Sequence, residues 1–391
     1  MNNLTIIVDT WYLAYRCLFI SKGFDKNKYN EEVKFLDSSD DIITLVNRMV
    51  SDLTYSLNTF KGYKRVICVS DSKSWRKDII LKTKSQYKSN RKKSDDVNWE
   101  NFYSCIEQFL SVMEDNNVIV SNIDRAEGDD LIYLWSEYIL NKENPDNVII
   151  LSGDGDISQV TDFNDNVFSI VFDTMRKNNT LIAKTGFQEW LSNKKSPEID
   201  IFNVYDIDRL VNKDGVEIVK ELTLDCKSPL EIKEVDPSNI IFNKIICGDD
   251  GDNIPSIWTW RDKTAEGKTK HTRITNKHYN KLHETLVRRY DSIDINEVIS
   301  NDTLRNRIRL TLQERSKTSI PLDKFIEKLD INITLVYLNR KIIPTDIVDS
   351  FDENKEKLYK KTKNKPISID ILKGTPYYKA KNNVDESIFN D

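Results

Sequence analysis

Leu4-Thr5-Ile6-Ile7-Val8-Asp9 is a short, uninterrupted run, rich in β-branched residues, that stops at an aspartate. Runs of this kind form strands buried on both faces of a parallel sheet. The pattern recurs. Val66-Ile67-Cys68-Val69-Ser70 ends at Asp71, and Val148-Ile149-Ile150-Leu151-Ser152-Gly153 ends at Asp154, with Asp156 two residues on. A fourth run, Ile245-Ile246-Cys247-Gly248, ends at Asp249, with Asp252 close behind. Ser238–Cys247 has helical spacing, so these last two acids follow a helix rather than a strand. In an open α/β sheet, ligands sit beyond the carboxyl ends of the strands. Acids placed there converge on one crevice, and they repel one another unless cations stand between them. The pattern predicts a divalent-metal site.

Working outward, the spacing predicts helices over Thr10–Phe19, Asp41–Phe60, Trp99–Glu114 and Gly128–Asn141, alternating with the strands and a further strand at Val118–Val120. Val167–Phe172 and Thr180–Ala183 read as a hairpin. The expected fold class is α/β, a central, mostly parallel sheet covered by helices. Residues 186–237 read as an insertion holding a hairpin turn at Val211–Val216, flanked by Ile and Val. Residues 238–361 read as a helical region and 362–391 as a flexible tail.

Composition narrows the class. The 391 residues carry a net charge of −5 and 39% hydrophobic residues, enough for a core. No apolar run approaches the ~20 residues of a membrane span, and Met1-Asn2-Asn3 leads straight into a strand, so no signal peptide is expected. Five scattered cysteines with no CxxC pair point to reduced thiols in a cytoplasmic protein. The modest net charge conceals segregation. Lys73–Lys93 holds nine Lys/Arg and one acid, and Arg261–Arg289 holds nine Lys/Arg, three acids and all three histidines. Basic segments beside metal-holding acids fit a phosphodiester substrate. No Gly-rich phosphate loop ending in Lys-Ser/Thr is present, so no ATP-driven motor is indicated.

Glu127-Gly128-Asp129-Asp130 stands at a helix start, where capping alone would explain one or two acids but three in four residues call for a positive partner. Asp154-Gly155-Asp156 fails as an EF-hand loop, because Gln159 and Asp165 occupy its Gly and Glu positions; a plain turn is the other reading. Asp249–Asp252 taken alone is a solvated loop. Together, Asp9, Asp71, Glu127, Asp129, Asp130, Asp154, Asp156, Asp249 and Asp252 make nine acids at element ends, with no His or Cys among them. Oxygen-only sites suit Mg²⁺ or Mn²⁺ rather than zinc. The count fits two ions ~3.5–4 Å apart, clamping a phosphodiester.

Glu-Gly-Asp-Asp at 127–130, Ser-Gly-Asp-Gly-Asp at 152–156 and Gly-Asp-Asp-Gly-Asp-Asn-Ile-Pro at 248–255 resemble the ordered acidic motifs of the structure-specific 5′-nucleases, the flap endonucleases and 5′-3′ exonucleases, and within them the T-even phage branch. The resemblance spans about residues 4–185 and 238–345. It implies a PIN-like nuclease core over 1–185 with a helical arch at 72–98, a C-terminal helical region that binds duplex DNA, and a two-metal mechanism. It assigns Asp71, Glu127 and Asp129 to a first ion, with Asp9 acting through water. Asp154, Asp156 and Asp252 go to a second, with Asp249 and Asp130 further out. Asp71, Glu127 and Asp154 are on this reading the catalytic acids. Lys88 and Arg91 match the arch cations that contact the scissile phosphate and oppose its developing charge. Arg16, Arg76, Lys77 and Tyr87, with Lys263, Lys268, Lys270 and Arg273 further along, are candidate nucleic-acid contacts; for Lys73–Lys93 the competing reading is a solvated basic loop. The Gly-x-Gly hairpin usual after the last motif is missing, which puts a K⁺ site in doubt.

The implied substrates are DNA with a 5′ flap or free 5′ end and RNA primers in RNA–DNA hybrids, cut by a monomer in replication or repair, in a host cytoplasm if phage-encoded. The acidic, Phe-containing tail offers a dock for a sliding clamp or single-strand-binding protein. Two other classes compete. A PIN-like single-strand ribonuclease shares the acids but lacks the arch and the 248–255 motif. A non-catalytic nucleic-acid-binding protein would have lost ligands, and none of the nine is missing.

Overall fold

The computed structural model describes residues 3–23, 28–79, 86–174, 179–193, 202, 204–224, 229–263, 269–290, 294–360 and 367–378. By their contacts the chain falls into two units, Met1–Lys73, Lys93–Glu234 and Thr345–Asp391 forming the first, and Ser74–Lys92 and Val235–Pro344 the second.

The first unit opens with β1 (Leu4–Asp9), α1 (Thr10–Lys22), α2 (Ser39–Asn58), β2 (Arg65–Val69), α3 (Trp99–Asp115), β3 (Ile119–Ser121), α4 (Gly128–Leu140) and β4 (Asn147–Leu151). It continues through β5 (Asp162–Phe163), β6 (Phe168–Asp173), β7 (Asn179–Lys184), α5 (Phe187–Asn193), β8 (Val204–Val211), β9 (Glu217–Leu224) and β10 (Pro229–Val235). The sheet order is β3-β2-β1-β4-β6-β7-β10-β9-β8, with β5 pairing β6. Its β3-β2-β1-β4-β6 half is parallel throughout. β1 is central to that half, pairing β2 with Asp9 opposite Val69 and β4 with Val8 opposite Leu151. The chain runs outward from β1 to β2 and β3, then returns to lay β4 on the other flank of β1. That reversal is a topological switch point, where the carboxyl ends of neighbouring strands open a crevice.

Successive residues of β1 point to opposite faces, and both faces are covered. Leu4, Ile6 and Val8 join a core with Leu13 and Cys17 of α1, Leu45, Val46 and Met49 of α2, and Phe102 and Phe109 of α3. On the other face Thr5 donates to Asp146, which also receives Lys64, Arg65 and the Tyr359 hydroxyl.

Residues 186–237, expected as a less regular insertion, supply β8–β10 and extend the same sheet. The β8–β9 hairpin turns at Asn212–Val216, where Asn212 Oδ1 accepts from Asp214 and Val216 N–H and Gly215 takes a φ of 79°. Val219, Leu222 and Leu224 of β9 are buried among polar neighbours. A register shift, with Asp208 opposite Glu221 and Arg209 opposite Val219, brings the three to one buried face and leaves the other wet.

The second unit holds α6 (Pro237–Cys247), the antiparallel hairpin β11 (Thr259–Lys263) and β12 (Thr269–Arg273), α7 (Asn276–Tyr290), α8 (Ile295–Ser300), α9 (Asp302–Ser316) and α10 (Leu322–Val336). Its core gathers Phe242, Ile245, Trp258, Tyr279, Leu286, Ile308 and Phe325, and Tyr87 joins it. The basic segment 74–92, expected with the nuclease core, therefore packs with the second unit. α11 (Thr345–Lys360), expected with the helical region, belongs to the first: its Phe351 ring meets Trp135 of α4 edge-on at 5.0 Å. Among the described residues of 72–98 there is one 3-10 turn, Trp75–Asp78, and no α-helix before Trp99; 80–85 of the expected arch lie outside them, as do 362–366 and 379–391 of the tail. No described helix is long and apolar enough to cross a membrane.

Candidate active site

The acids of the first unit meet at the switch point because three chain segments end there. Asp9 closes β1 and caps α1, its Oδ1 accepting the Tyr12 N–H at 3.0 Å. Its Oδ2 accepts the Ser152 hydroxyl at 2.9 Å. Ser152 follows β4, and its Oγ also accepts the Asp154 N–H at 3.2 Å. One serine thus ties the end of β1 to the loop carrying Asp154 and Asp156, and Asp154 Oδ1 accepts the Asp156 N–H at 2.9 Å. Asp71, two residues beyond β2, accepts the Gly128 N–H at 2.5 Å, and Ser72 N–H donates to Ala126 O at 2.8 Å. These bonds bring the start of α4, with Glu127 and Asp129, against the end of β2. A Cβ on Gly128 would stand 2.8 Å from Asp71 Oδ1, so glycine permits this approach.

Helix capping explains part of the 127–130 cluster. Glu127 and Asp130 form a reciprocal capping box, in which Asp130 Oδ2 accepts the Glu127 N–H at 3.1 Å. Both are buried. Asp129 has no part in that box.

Charge is the decisive observation. The pKa of the Asp9 carboxyl is raised from 3.8 to about 7, mainly by enclosure and in part by the charges of Asp71 and Asp154, against lowering by the Tyr12 and Ser152 hydrogen bonds. Asp9, Asp71 and Asp154 are therefore electrostatically one group. A cation among them would relieve the strain, and a donor set made only of carboxylates suits a hard divalent ion. Among the described residues no three His, Cys, Asp or Glu are gathered closely enough to form a ready cage. The carboxylates lean instead on backbone N–H groups and Ser152.

Around these acids lie two polar groups of α1. The Tyr12 hydroxyl donates to Asp173 at 2.9 Å, its ring fills the space where a Gly153 side chain would stand, and burial followed by the Asp173 charge pushes its pKa up. Arg16 pairs with Asp52 at 3.7 Å and donates to Thr174. Ser152 and Asp173 were not singled out by sequence reasoning. The Ser-x-Asp-x-Asp spacing was the available signal for Ser152; nothing local marks Asp173.

The second unit carries the other candidates. Asp249 pairs with Lys244 at 2.8 Å. Partial burial raises its pKa, but the Lys244 ammonium and the Gly251 and Asp252 N–H groups bring it below the ordinary value. Asp250 pairs with Arg273, and Asp252 pairs with Arg91. Lys88 has a φ of 57°, its N–H donates to Asp252 O at 2.9 Å, and its ammonium lies 4.9 Å from the Tyr87 ring centre. Two expected nucleic-acid contacts are buried. Arg76 is 1% exposed, with its guanidinium 4.5 Å from the Trp75 ring centre, and Tyr87 is 4% exposed, with its hydroxyl 3.4 Å from Asp252. Neither presents a surface for DNA as it stands: Tyr87 packs in the apolar core of the unit, and Arg76 is buried beside the buried Trp75 ring. Lys77 is exposed, Lys263 and Lys270 lie on the β11–β12 hairpin, and Lys268 falls outside the described residues. His278 stacks on Trp260 at 4.5 Å, a packing role rather than a zinc ligand.

The family model of the 5′-3′ exonuclease N-terminal resolvase-like domain matches residues 4–191. Among solved structures the chain is similar to the bacteriophage T5 D15 protein co-crystallised with metal ions, at 17% identity and a TM-score of 0.47, over 92% of this chain and 100% of that one. It is similar to a pseudo-enzyme–product complex of the bacteriophage T5 D15 flap endonuclease with DNA and metal ions, at 17% identity and a TM-score of 0.47, over 91% and 99%. A zinc-bound T5 5′-exonuclease shows 18% identity and a TM-score of 0.43 over 95% and 98%. No curated protein sequence matches the chain.

Proposed function

We propose that this chain, whose residues 4–191 match the 5′-3′ exonuclease N-terminal resolvase-like domain, is a Mg²⁺-dependent, structure-specific nuclease cutting DNA at 5′ flaps and free 5′ ends, and RNA primers in RNA–DNA hybrids, during replication or repair. The observation that carries this reading is the coupling of Asp9, Asp71 and Asp154 at the switch point of a parallel sheet. On this reading Asp71, Glu127 and Asp129, with Asp9 through water, hold one ion, and Asp154 and Asp156 hold a second; Mn²⁺ can take their place. The roles of Asp249 and Asp252 rest on resemblance alone, since their partners in the structure are Lys244 and Arg91.

Two such ions, when bound, would polarise the scissile phosphate and make a water nucleophilic near neutral pH. The protein's own groups orient and exclude. Ser152 holds the Asp9 carboxylate against the Asp154 loop. The Gly128 N–H fixes Asp71. The resemblance gives Lys88 and Arg91 the part of opposing the negative charge that builds on the phosphate. The exposed Lys77 and the cations of the β11–β12 hairpin contribute contacts to the duplex backbone, which carry affinity rather than sequence preference.

The test is a labelled duplex with a 5′ flap, incubated with Mg²⁺ or with EDTA, beside a single-stranded RNA of the same sequence. Cleavage of the flap only with Mg²⁺ is expected. Equal cleavage in EDTA would remove the metal mechanism, and preference for the single-stranded RNA would favour the ribonuclease reading.

A further inference from the structure

Loop 248–254 and turn 86–91 are clipped together within the second unit, and one side chain sits at the centre of the clip. The loop is closed by two backbone bonds: Asp249 N–H donates to Ile254 O at 2.9 Å and Ile254 N–H to Asp249 O at 2.7 Å. Asn253, with a φ of 60°, stands just before that closure; asparagine tolerates this left-handed conformation better than most residues. From there its Nδ2 donates to Gln86 O at 3.0 Å and to Ser89 Oγ at 3.1 Å. Two more bonds run between the same segments, Lys88 N–H to Asp252 O at 2.9 Å and Asn90 Nδ2 to Asp250 O at 2.5 Å. The clipped turn is short and exposed at Gln86, Ser89 and Asn90, and it holds Lys88 at a φ of 57°. A non-glycine residue keeps such a conformation only where its surroundings enforce it. The turn carries Lys88 and Arg91.

We propose that Asn253 is a positioning residue of the nuclease. Its two hydrogen bonds fix the backbone of the 86–91 turn and so the stance in which Lys88 and Arg91 are presented to the substrate. The proposal rests on the roles assigned above to those two cations. The acidic loop is then a template for the basic turn: Asp252, through its carbonyl and its pairing with Arg91, and Asn253, through its amide, set where the cations stand before substrate arrives. Aspartate at 253 keeps the size and tolerates the same φ, but cannot donate. Glycine keeps the φ and removes the side chain.

The experiment is single-turnover cleavage of a 5′-flap duplex with Mg²⁺ by Asn253→Asp, Asn253→Gly, Lys88→Ala and the double variants, with flap affinity from fluorescence anisotropy and folding checked by thermal unfolding. Asn253→Asp and Asn253→Gly should each lower the cleavage rate at saturating enzyme about tenfold, the effect of losing roughly one net hydrogen bond in the turn. Flap affinity should change much less. In the Lys88→Ala background, itself slower by about a hundredfold, the same substitutions should have less than about half their effect on the logarithm of the rate, because they act through the turn. Equal slowing in both backgrounds, or no slowing by a folded Asn253→Gly, would overturn the proposal. Unchanged cleavage by Lys88→Ala would instead overturn the role of Lys88 from which the proposal starts.

Discussion

Replacing Asp9 with Asn should stabilise the metal-free protein, and only where Asp9 is ionised. The carboxyl has its pKa raised from 3.8 to about 7, first by enclosure and then by Asp71 and Asp154. A group with a raised folded-state pKa keeps its proton longer in the native than in the unfolded chain. Native stability from this group is therefore greatest at low pH, falls as pH rises from about 4 to about 7, and is flat above that. At ~1.36 kcal/mol per pH unit, the difference of 3.8 from about 7 bounds the loss at about 4 kcal/mol. Asp9 is not fully shut off from solvent, so an effect of about 2–4 kcal/mol is expected. Asparagine keeps the shape and can still accept the Tyr12 N–H. The assay is thermal unfolding of both proteins in EDTA at about pH 5 and about pH 8. The variant should gain roughly 4–8 °C on the wild type between the two conditions. Adding Mg²⁺ at the higher pH should erase that gain, since a cation bound beside Asp9 stabilises only the ionised carboxylate and only the folded chain. A wild-type-to-variant difference that stays constant with pH would refute the claim that Asp9, Asp71 and Asp154 share one charged site.

Three other perturbations separate chemistry from architecture. Asp154→Asn combined with Asp156→Asn should abolish cleavage of the flap while anisotropy still detects binding; retained cleavage would remove both from the metal site. Gly248→Ala should destabilise the second unit by at least about 1–3 kcal/mol in denaturant unfolding, because Gly248 has a φ of 75° and a Cβ there would run into Ile254 O and Pro255. Asp146→Ala should cost about 3–5 kcal/mol of stability, since it leaves Arg65, 13% exposed and 2.6 Å from the lost carboxylate, without its charge partner; activity per folded molecule should be unchanged.

The strands and the acids at their ends were legible because the signals are local. A β-branched run stopping at aspartate needs no distant residue to be recognised, and Ile6–Asp9, Val66–Asp71 and Val148–Asp154 all stand as expected. Helical spacing before Asp249 likewise sufficed for α6. The 204–224 hairpin was half legible: its Val211–Val216 turn was visible, but its charged, alternating strands resemble loop until a sheet edge receives them.

Other features needed the fold. Asp130 belongs to a capping box in its own helix, a choice made by backbone geometry at the start of α4. Arg76 and Tyr87 look like DNA contacts in a basic segment, yet both are buried, because burial depends on the residues brought around them from elsewhere in the chain. The same holds for α11, whose amphipathic pattern marks a helix but not the unit on which its apolar face packs.

By itself, the sequence determined which segments become strands and helices and which carboxylates stand at their ends, because periodicity, capping and turn chemistry act over about ten residues. Only the tertiary structure decided that β1 lies between β2 and β4. Strand order is set by pairing and burial between segments tens to more than a hundred residues apart. It is that order which makes three separate aspartates one charged site.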